Sequence, residues 1–457
     1  MEKQQKYTII AKATPSGQGS IGVIRISGDK AIDVIKYILK LKYLKPRYAS
    51  YLPFFYKNKI IDKGIALWFP KPNSFTGEDI LELQCHGNSI LLDLLINDIL
   101  NISGIRIASP GEFSKRAFLN KKFDLTQAEA ISDIISANSK SAIFSAMNLM
   151  NGKFSFLLKK LTKIIINLRV QLESFLEFDY KIKFSIFFKE ILKKIEKLLI
   201  FLTSIIKYVE DGIRIKEGIK IILIGPPNSG KSSLMNLITN KNISIVTNIP
   251  GTTRDILHEN IYINSVPIEI IDTAGIRDTS NQIEILGIKK TFEKIKSSNY
   301  LFLVIEDQMS KKNLNKIIKK YLKNFIKNIP IIIIRNKIDI TNNIPEIIYD
   351  NNNKYTVIKI SIKKKKGISI LMDFIKKKII NINTNEDQFT ARERYLNSLK
   401  SIYKYLIIGK NNFLNTNSIE FLSEDFKLIQ KELDSITGKF YSEDLLNNIF
   451  SQFCVGK

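Results

Sequence analysis

The stretch GPPNSGKSS, residues 225–233, has the composition of a phosphate-binding loop. Gly225 and Gly230 let the backbone turn its N–H groups onto an anion, and the helix predicted to follow adds its positive dipole end. Lys231 is spaced to reach the β- and γ-phosphates of a nucleotide, and the Ser232 hydroxyl is spaced to hold Mg²⁺. We therefore predict a nucleotide site that includes Asn228, Ser229, Gly230, Lys231, Ser232 and Ser233.

Three further motifs follow in an order that suits the same site. In GTTRD (251–255) the Thr253 hydroxyl can complete the coordination of Mg²⁺, and in DTAG (272–275) Asp272 can hold the metal through water. In NKID (336–339) the Asp339 carboxylate can accept from two N–H donors of guanine that adenine lacks, which predicts GTP. These motifs add Gly251, Thr252, Thr253, Asp272, Thr273, Ala274, Gly275, Asn336, Lys337 and Asp339 to the predicted site.

Hydrolysis of GTP needs a group that orients the attacking water and a positive charge that stabilises the transition state. The residue directly after DTAG is Ile276, which cannot orient water. Glu284, in NQIEILG, is the nearest downstream candidate for orienting the water. Its local sequence suits an exposed loop carboxylate without such a role equally well.

Apolar runs of strand type and helical segments surround these motifs. IKIILIG, PIEIID, YLFLVIE, IPIIIIRNK and YTVIKIS predict a mostly parallel sheet wrapped by helices over residues 218–380. Residues 1–122 alternate short strand-like runs with helices and predict an α+β domain. Residues 123–217 and 381–457 have apolar residues at helical spacing, which predicts long antiparallel helices. The predicted fold is multidomain, with a Ras-like P-loop domain of the α/β class inserted between two halves of an all-α domain.

The composition limits the compartment and the partners. The chain has 457 residues, 44% of them hydrophobic, a net charge of +26 and two cysteines. Two cysteines in a chain of this length argue against a disulfide framework, and no apolar signal core or membrane-length segment is present, so we predict a cytoplasmic protein without a membrane partner. The positive charge suits a nucleic-acid partner, but lysine is abundant along the whole chain, and charge alone leaves that question open.

Cys454 lies four residues from the C-terminus, where a prenylated cysteine would lie in a lipid-anchored GTPase. Gly456 is not aliphatic and Lys457 is not a usual last residue of a prenylation motif, so we predict that Cys454 carries no lipid. Lipid mass on Cys454 would support a membrane-attached GTPase instead.

Four longer stretches lie outside the nucleotide motifs: ATPSGQGSIGVIRISG, SFTGEDILELQCHGN, SPGEFSKRAFLNKKFDLTQAEAI and ITGKFYSEDLLNNIFSQFCVGK. They resemble the MnmE (TrmE) family of tRNA-modification GTPases. The first three are similar to the folate-binding region of that family, and the fourth is similar to its C-terminal signature. The resemblance implies a homodimer that works with an FAD-dependent MnmG-type partner. It implies that GTP hydrolysis supports the addition of a carboxymethylaminomethyl or aminomethyl group at C5 of the wobble uridine of certain tRNAs, with a tetrahydrofolate one-carbon derivative as donor.

The resemblance also implies roles for particular residues. The residues implied to bind folate are Arg25, Glu82, Lys122 and Lys457, and the C-terminal tail is implied to return to that site. A structural salt bridge is the alternative role of Arg25 and Glu82. K⁺ replaces an arginine finger when two GTPase domains meet, with the ligands Asn228, Thr247, Ile249 and Thr252. Glu284 becomes the residue that positions water, so the predicted catalytic residues are Lys231, Thr253 and Glu284. Asn248, Pro250 and Ser361 complete the predicted GTP site.

Three positions depart from the family pattern. Ser20 and Asn88 replace frequent glycines near the folate region, which would weaken folate binding if either position needs a positive φ. Ile362 replaces the alanine of the usual Ser-Ala-Lys, where the contact to guanine is a backbone N–H. The alternative function is an Era-like RNA-binding or ribosome-assembly switch, which would not need Arg25, Glu82 and Lys122 to bind folate.

Overall fold

The computed structural model describes residues 7–177, 184–240, 258–263, 266–272, 298–310, 313, 316, 329–350, 355–380, 387–438, 443–451, 453 and 456. The chain forms two compact units. Unit 1 comprises Met1–Ile135, Leu149–Thr203 and Asn397–Lys457, and unit 2 comprises Ser136–Asn148 and Ser204–Leu396. The predicted domain boundaries at residues 122, 217 and 380 stay predictions.

The described helices are, in chain order, α1 (Ala31–Ile38), α2 (Ser89–Ile99), α3 (Glu112–Leu119), α4 (Leu125–Ser136), α5 (Lys140–Met150), α6 (Lys153–Glu177), α7 (Phe184–Glu217), α8 (Lys231–Asn240), α9 (Ile338–Thr341), α10 (Ile368–Phe374), α11 (Glu393–Thr416), α12 (Ile419–Thr437) and α13 (Glu443–Ser451). A π-helical segment, Ile375–Ile380, continues α10. None of the helices, within the described ranges, is long and apolar enough to cross a membrane.

Unit 1 contains a six-stranded sheet in the order β3-β4-β5-β2-β1-β6. Its strands are β1 (Thr8–Lys12), β2 (Gly19–Ser27), β3 (Ser50–Tyr56), β4 (Lys59–Phe69), β5 (Ile80–Gly87) and β6 (Ile105–Ile107). Alternate residues such as Ile24, Ile26, Leu81 and Leu83 pack one face against α1 and α2. The opposite face presents Arg25 and Glu82, which are directly paired across β2 and β5.

The helices of unit 1 pack in the antiparallel arrangement that the sequence predicts. Phe175 of α6 stacks on Phe187 of α7 with ring centroids 4.1 Å apart. Lys194 donates to Gln171 at 2.8 Å, and Lys160 lies 5.1 Å from the ring of Phe201. In these three pairs the residue number increases along α7 as it decreases along α6. The two helices are therefore antiparallel.

Unit 2 contains a seven-stranded sheet in the order β12-β13-β11-β10-β7-β9-β8. Its strands are β7 (Ile219–Ile224), β8 (His258–Ile263), β9 (Val266–Asp272), β10 (Tyr300–Glu306), β11 (Ile331–Asn336), β12 (Ile347–Asp350) and β13 (Tyr355–Lys359). The five strands from β13 to β9 are parallel, and β8 and β12 pair antiparallel at the two edges. Both faces are apolar, as a sheet covered on both sides requires. The mostly parallel sheet is therefore confirmed.

The structure corrects one helix and adds four strands. The apolar pattern of residues 125–150 continues through a break between α4 and α5, where the Ser139 hydroxyl accepts from the Ala142 N–H at 3.1 Å. An N-cap serine has a non-helical backbone, so a helix that starts after Ser139 cannot continue the helix before it. Strands β3, β6, β8 and β12 were not among the predicted strands. Strand β3 contains Pro53 and lies at an edge, where a missing N–H costs no ladder bond.

Candidate functional site

The phosphate loop follows β7 and leads into α8, so the helix N-terminus faces the place where a phosphate would bind. Gly225 has φ 152°, and an added Cβ would lie 2.0 Å from the carbonyl oxygen of Val304. Gly230 has φ 101°, and its Cβ would lie 2.4 Å from the Asn336 side-chain nitrogen. Neither position can therefore hold a larger residue without moving its neighbours. The glycine pattern has a steric cause in this fold.

Lys231 is buried at the first turn of α8, where its ammonium group donates to the carbonyl oxygens of Gly225 at 3.0 Å and Pro226 at 2.9 Å. Burial lowers the pKa of Lys231, and the charge of Asp272 partly offsets that effect. A charged group that is partly removed from water gains from an incoming anion, so the position suits a nucleotide phosphate.

A pair of hard oxygen donors lies beside the phosphate loop. The Ser232 hydroxyl donates to Asp272 Oδ2 at 2.6 Å. Asp272 is buried, and its Oδ1 atom has no hydrogen-bond partner among the residues that the structure describes. Mg²⁺ prefers such oxygen ligands, so the donor set fits the metal that the sequence predicts.

Asn336 joins the phosphate loop to the loop after β13. It is buried at the end of β11, and its amide nitrogen donates to the Ser229 carbonyl oxygen at 2.9 Å. Its amide oxygen accepts from the Ile362 N–H at 3.1 Å. The side chain therefore acts as a brace between two loops, a role that the motif did not predict.

Asp339, which the sequence predicts to recognise guanine, is bonded to Ser361, the residue before Ile362. Its Oδ1 atom accepts from the Ser361 hydroxyl at 2.5 Å, and this bond is the main reason that the pKa of Asp339 is below its ordinary value. Beneath it, buried Asp307 accepts from Thr341 at 2.6 Å and from Asn343 at 2.5 Å. The sequence did not single out Asp307, which fixes the short helix α9 that carries Asp339.

In unit 1, Arg25 and Glu82 form an ion pair with Nε and Oε1 2.7 Å apart. The Arg25 guanidinium also donates to the carbonyl oxygen of Gly456 at 3.2 Å. Both ionic side chains keep about a fifth of their surface exposed, at 21% and 17%, so a ligand can reach them. The return of the C-terminal tail to Arg25 is confirmed.

Apolar packing holds the tail in this place. Phe450 and Phe453, on α13 and just after it, are buried with Leu125 and partly buried Phe118. Gly456 has φ 92°, and an added Cβ would lie 2.2 Å from the Lys12 carbonyl oxygen. Glycine is therefore the residue that lets the tail approach strand β1.

The loop before β5 contacts both Arg25 and Lys122. Phe75 lies on this loop, with its ring 5.8 Å from the Arg25 guanidinium, and Lys122 donates to the Pro72 carbonyl oxygen at 2.9 Å. Phe113 flanks Arg25 from another side at 6.0 Å. The site therefore combines two charged groups with two aromatic rings, a combination that suits a flat, polar heterocycle.

A buried polar network fixes the same loop. The Ser27 hydroxyl meets Thr76 at 2.7 Å and donates to Glu78 at 2.9 Å. Arg116 donates to the same Glu78 oxygen at 2.9 Å. Because the network joins β2, the loop and α3, it holds Phe75 in a defined position.

Two family models and several known proteins match this chain. Residues 8–122 match the family model described as "GTP-binding protein TrmE N-terminus", and residues 125–454 match that of the "MnmE helical domain". The chain is 43% identical over 454 residues to "tRNA modification GTPase MnmE" of Proteus mirabilis, covering 98% of this chain and 99% of that protein.

The chain belongs to the MnmE family.

Two further relatives bear the same description. MnmE of Pectobacterium carotovorum is 41% identical over 98% of this chain and 99% of its own length, and MnmE of Coxiella burnetii is 41% identical over 98% of each chain. The crystal structure of a point variant of Aquifex aeolicus Era bound to GDP.AlF4⁻ is 23% identical over 41% of this chain and 67% of that chain, with a TM-score of 0.27. A similarity this weak adds nothing to the assignment.

Many residues predicted for an MnmE site lie outside the described residues. They are Thr247, Asn248, Ile249, Pro250, Gly251, Thr252, Thr253, Thr273, Ala274, Gly275, Glu284, Cys454 and Lys457. Asn228, the remaining residue predicted to bind K⁺, is exposed on the phosphate loop at φ 59°. Ser233 is also exposed, near the start of α8, and Lys337 contacts Glu306.

The positions that depart from the MnmE pattern are accommodated. Asn88 has φ −105° and caps α2, accepting from the Ile90 N–H at 2.9 Å, and Ser20 is not among the residues with positive φ. The Ile362 side chain does not displace its own backbone N–H, which bonds Asn336. Cys85 is buried, and burial raises its pKa to about 12, so it is a packed thiol and not a nucleophile.

Proposed function

We propose that this protein hydrolyses GTP to support the modification of tRNA at C5 of the wobble uridine. In this proposal it works as a homodimer with an FAD-dependent MnmG-type partner, in a heterotetramer, and takes the one-carbon unit from a methylenetetrahydrofolate. The observation that carries the proposal is the return of Gly456 to the Arg25–Glu82 pair in a chain of the MnmE family. A switch protein without modification chemistry has no need of that arrangement.

The nucleotide half of the proposal uses residues that the structure brings together. Lys231 binds the β- and γ-phosphates by exchanging its two carbonyl partners for phosphate oxygens. Ser232 and Asp272 would hold Mg²⁺, which neutralises charge on the β- and γ-phosphates. Asp339 accepts from guanine, and Ser361 keeps that carboxylate oriented. GTP is thereby fixed at both ends before the γ-phosphate is attacked.

Hydrolysis itself is assigned to residues outside the described ranges. Thr253 senses the γ-phosphate and Glu284 orients the water. Asn228 would hold K⁺ together with oxygens of Thr247, Ile249 and Thr252, and the ion would supply positive charge when two GTPase domains meet. Support for this step is the MnmE family membership together with the exposed position of Asn228.

The folate half uses the cluster in unit 1. Glu82 pairs with N–H groups of the pterin, whose ring lies against Phe75 and Phe113. Lys122 and Lys457 pair with the anionic glutamate end of the ligand. Arg25 orients Glu82 and holds the tail by its bond to Gly456. The Arg25–Glu82 pair is partly exposed, so a ligand can reach it, and the ion pair orients the Glu82 carboxylate toward that ligand.

A reconstituted reaction tests the proposal. The protein is combined with an MnmG-type partner, methylenetetrahydrofolate, GTP, and glycine or ammonium, and the nucleosides of the tRNA are measured by mass spectrometry. The expected result is a C5-modified uridine that is lost with Arg25→Ala. Lys71→Ala is the matched control, since Lys71 forms an exposed ion pair with Asp29 in the same unit.

Two outcomes would reject parts of the proposal. Tight GTP binding without any folate binding or modified nucleoside would support an Era-like switch. Equal rates of GTP hydrolysis in KCl and NaCl at the same ionic strength would remove K⁺ from the mechanism while leaving the modification reaction open to test.

A further inference from the structure

A tight turn rich in lysine borders the guanine side of the nucleotide site. We call residues 361–366 the lysine turn. Ser361 and Lys366 exchange two backbone hydrogen bonds of 3.0 Å, and the Lys365 N–H donates to the Ile362 carbonyl oxygen at 3.3 Å. Lys365 has a left-handed backbone with φ 55°. These bonds make the turn a defined structure that presents its side chains in fixed directions.

The lysine turn is tied directly to the group that recognises guanine. The Lys364 N–H donates to the Ser361 hydroxyl at 3.1 Å, and the same hydroxyl donates to Asp339 at 2.5 Å. The charges of Lys363 and Lys364 add to the lowering of the Asp339 pKa, after the larger effect of Ser361. The lysine side chains therefore start within electrostatic reach of the base-binding carboxylate.

The positive charge of this turn is not balanced locally. Lys363, Lys364, Lys365 and Lys366 are exposed, and none forms an ion pair with a described residue. Lys359, just before the turn, differs in that it pairs with Glu346 at 2.7 Å. An unpaired cluster of one sign at the rim of a cleft creates a potential that extends about one Debye length, roughly 10 Å at 0.1 M salt.

We propose that the lysine turn steers guanine nucleotides into the site by attracting their phosphates during the approach. The proposal rests on the nucleotide-binding half of the proposed function, because GTP carries several negative charges and the turn is bonded to Asp339, which that function assigns to guanine. Steering of this kind raises association rates by about 10- to 1,000-fold and falls steeply with ionic strength. Long-range attraction acts during the approach, so the proposal requires that dissociation stay almost unchanged when the lysines are removed.

The test is the association rate of a fluorescent methylanthraniloyl-GTP, measured by stopped flow with the full-length protein over a range of salt concentrations. The variant is the triple Lys363→Gln, Lys364→Gln, Lys366→Gln, which spares the left-handed Lys365. The matched control is the triple Lys376→Gln, Lys377→Gln, Lys378→Gln, three exposed lysines of the same unit that are not in the turn. Both triples remove the same charge from the chain.

The expected result is an association rate reduced about tenfold in the turn variant at low salt, the lower end of the range for steering. The difference from wild type should vanish at high salt, the dissociation rate should stay within about twofold, and the control triple should resemble wild type. A smaller reduction for the less charged GDP analogue would support the same cause.

Three results would overturn the proposal. Equal reductions in both triples would show that only the net charge matters. Faster dissociation that persists at high salt would show that the lysines contact the bound nucleotide or support its pocket. Unchanged nucleotide kinetics with weaker tRNA binding would make the turn an RNA contact. If the wild-type protein binds no nucleotide, the proposed function fails first, and that result is distinct from all three.

Discussion

The brace formed by Asn336 makes the sharpest prediction. Replacement by alanine removes two hydrogen bonds at once, those to the Ser229 carbonyl oxygen and the Ile362 N–H. Each buried group left without a partner costs about 1–3 kcal/mol, so the variant, with two such groups, should lose about 2–6 kcal/mol of stability. At about 2–4 °C per kcal/mol for a unit of about 200 residues, the unfolding midpoint should fall by about 4–24 °C.

The same change should weaken nucleotide binding, because the two loops must be ordered together before the nucleotide can bind. We expect at least about a tenfold loss of affinity, corresponding to about 1.4 kcal/mol. The loss should be equal for GDP and GTP, since both bonds join protein to protein and neither involves the γ-phosphate. Titration with fluorescent nucleotides and thermal unfolding of the full-length protein measure the two effects.

Asn299→Ala is the matched control for Asn336→Ala. Asn299 is exposed in unit 2, and its side chain accepts one hydrogen bond, from the Lys220 N–H at 2.8 Å. It should lose no more than about 1 kcal/mol and no nucleotide affinity. If the two variants behave alike, Asn336 does not act as a brace. A loss confined to GTP would also refute the reasoning, because it would place the effect at the γ-phosphate.

Other substitutions test single contacts. Asp272→Asn should raise the Mg²⁺ concentration needed for half-maximal GTP hydrolysis by about tenfold or more, measured by metal titration, because the amide offers one donor atom fewer and no charge. Gly456→Ala should expose the tail to protease, since its Cβ would meet the Lys12 carbonyl oxygen at 2.2 Å; an unchanged cleavage pattern would contradict this. Burial raises the pKa of the Glu112 carboxyl. Hydrogen bonds to this carboxylate, the strongest from Arg106, lower the pKa by more than burial raises it, so the pKa is below its ordinary value of 4.5. Wild type should therefore lose stability as the pH falls through that lowered pKa, and its advantage over Glu112→Gln should shrink there in acid unfolding curves.

The phosphate loop could be predicted because its causes are local. A strand, a glycine-rich turn and a helix follow one another in the chain, and each contributes backbone groups to one anion site. The brace of Asn336 could not be predicted in the same way. It joins residues separated by 107 and 26 positions, and their proximity depends on the order of β7, β11 and β13 in the sheet.

Some secondary structure was missed because sequence patterns describe local preferences, whereas the position of a segment in the folded chain can override them. Pro53 argues against a strand, yet β3 lies at the sheet edge and tolerates it. The helical pattern of residues 125–150 hid the Ser139 cap, because a capping serine and an ordinary polar helix residue look alike in a pattern of apolar spacing. Arg25 and Gly456 are separated by 431 positions, so only the family resemblance could predict their contact.

The residues that depart from the family pattern show which atoms matter at these sites. At Asn88 the backbone is extended and the side chain caps α2, so a glycine there has no conformational advantage over asparagine. At Ile362 the N–H makes the contact, and the side chain is free to vary. Where glycine is required by contact, at Gly225, Gly230 and Gly456, glycine is present. Side chains are therefore tolerated at residues 88 and 362, whereas a Cβ would collide at Gly225, Gly230 and Gly456. Both sites should for this reason keep their ligand-binding geometry.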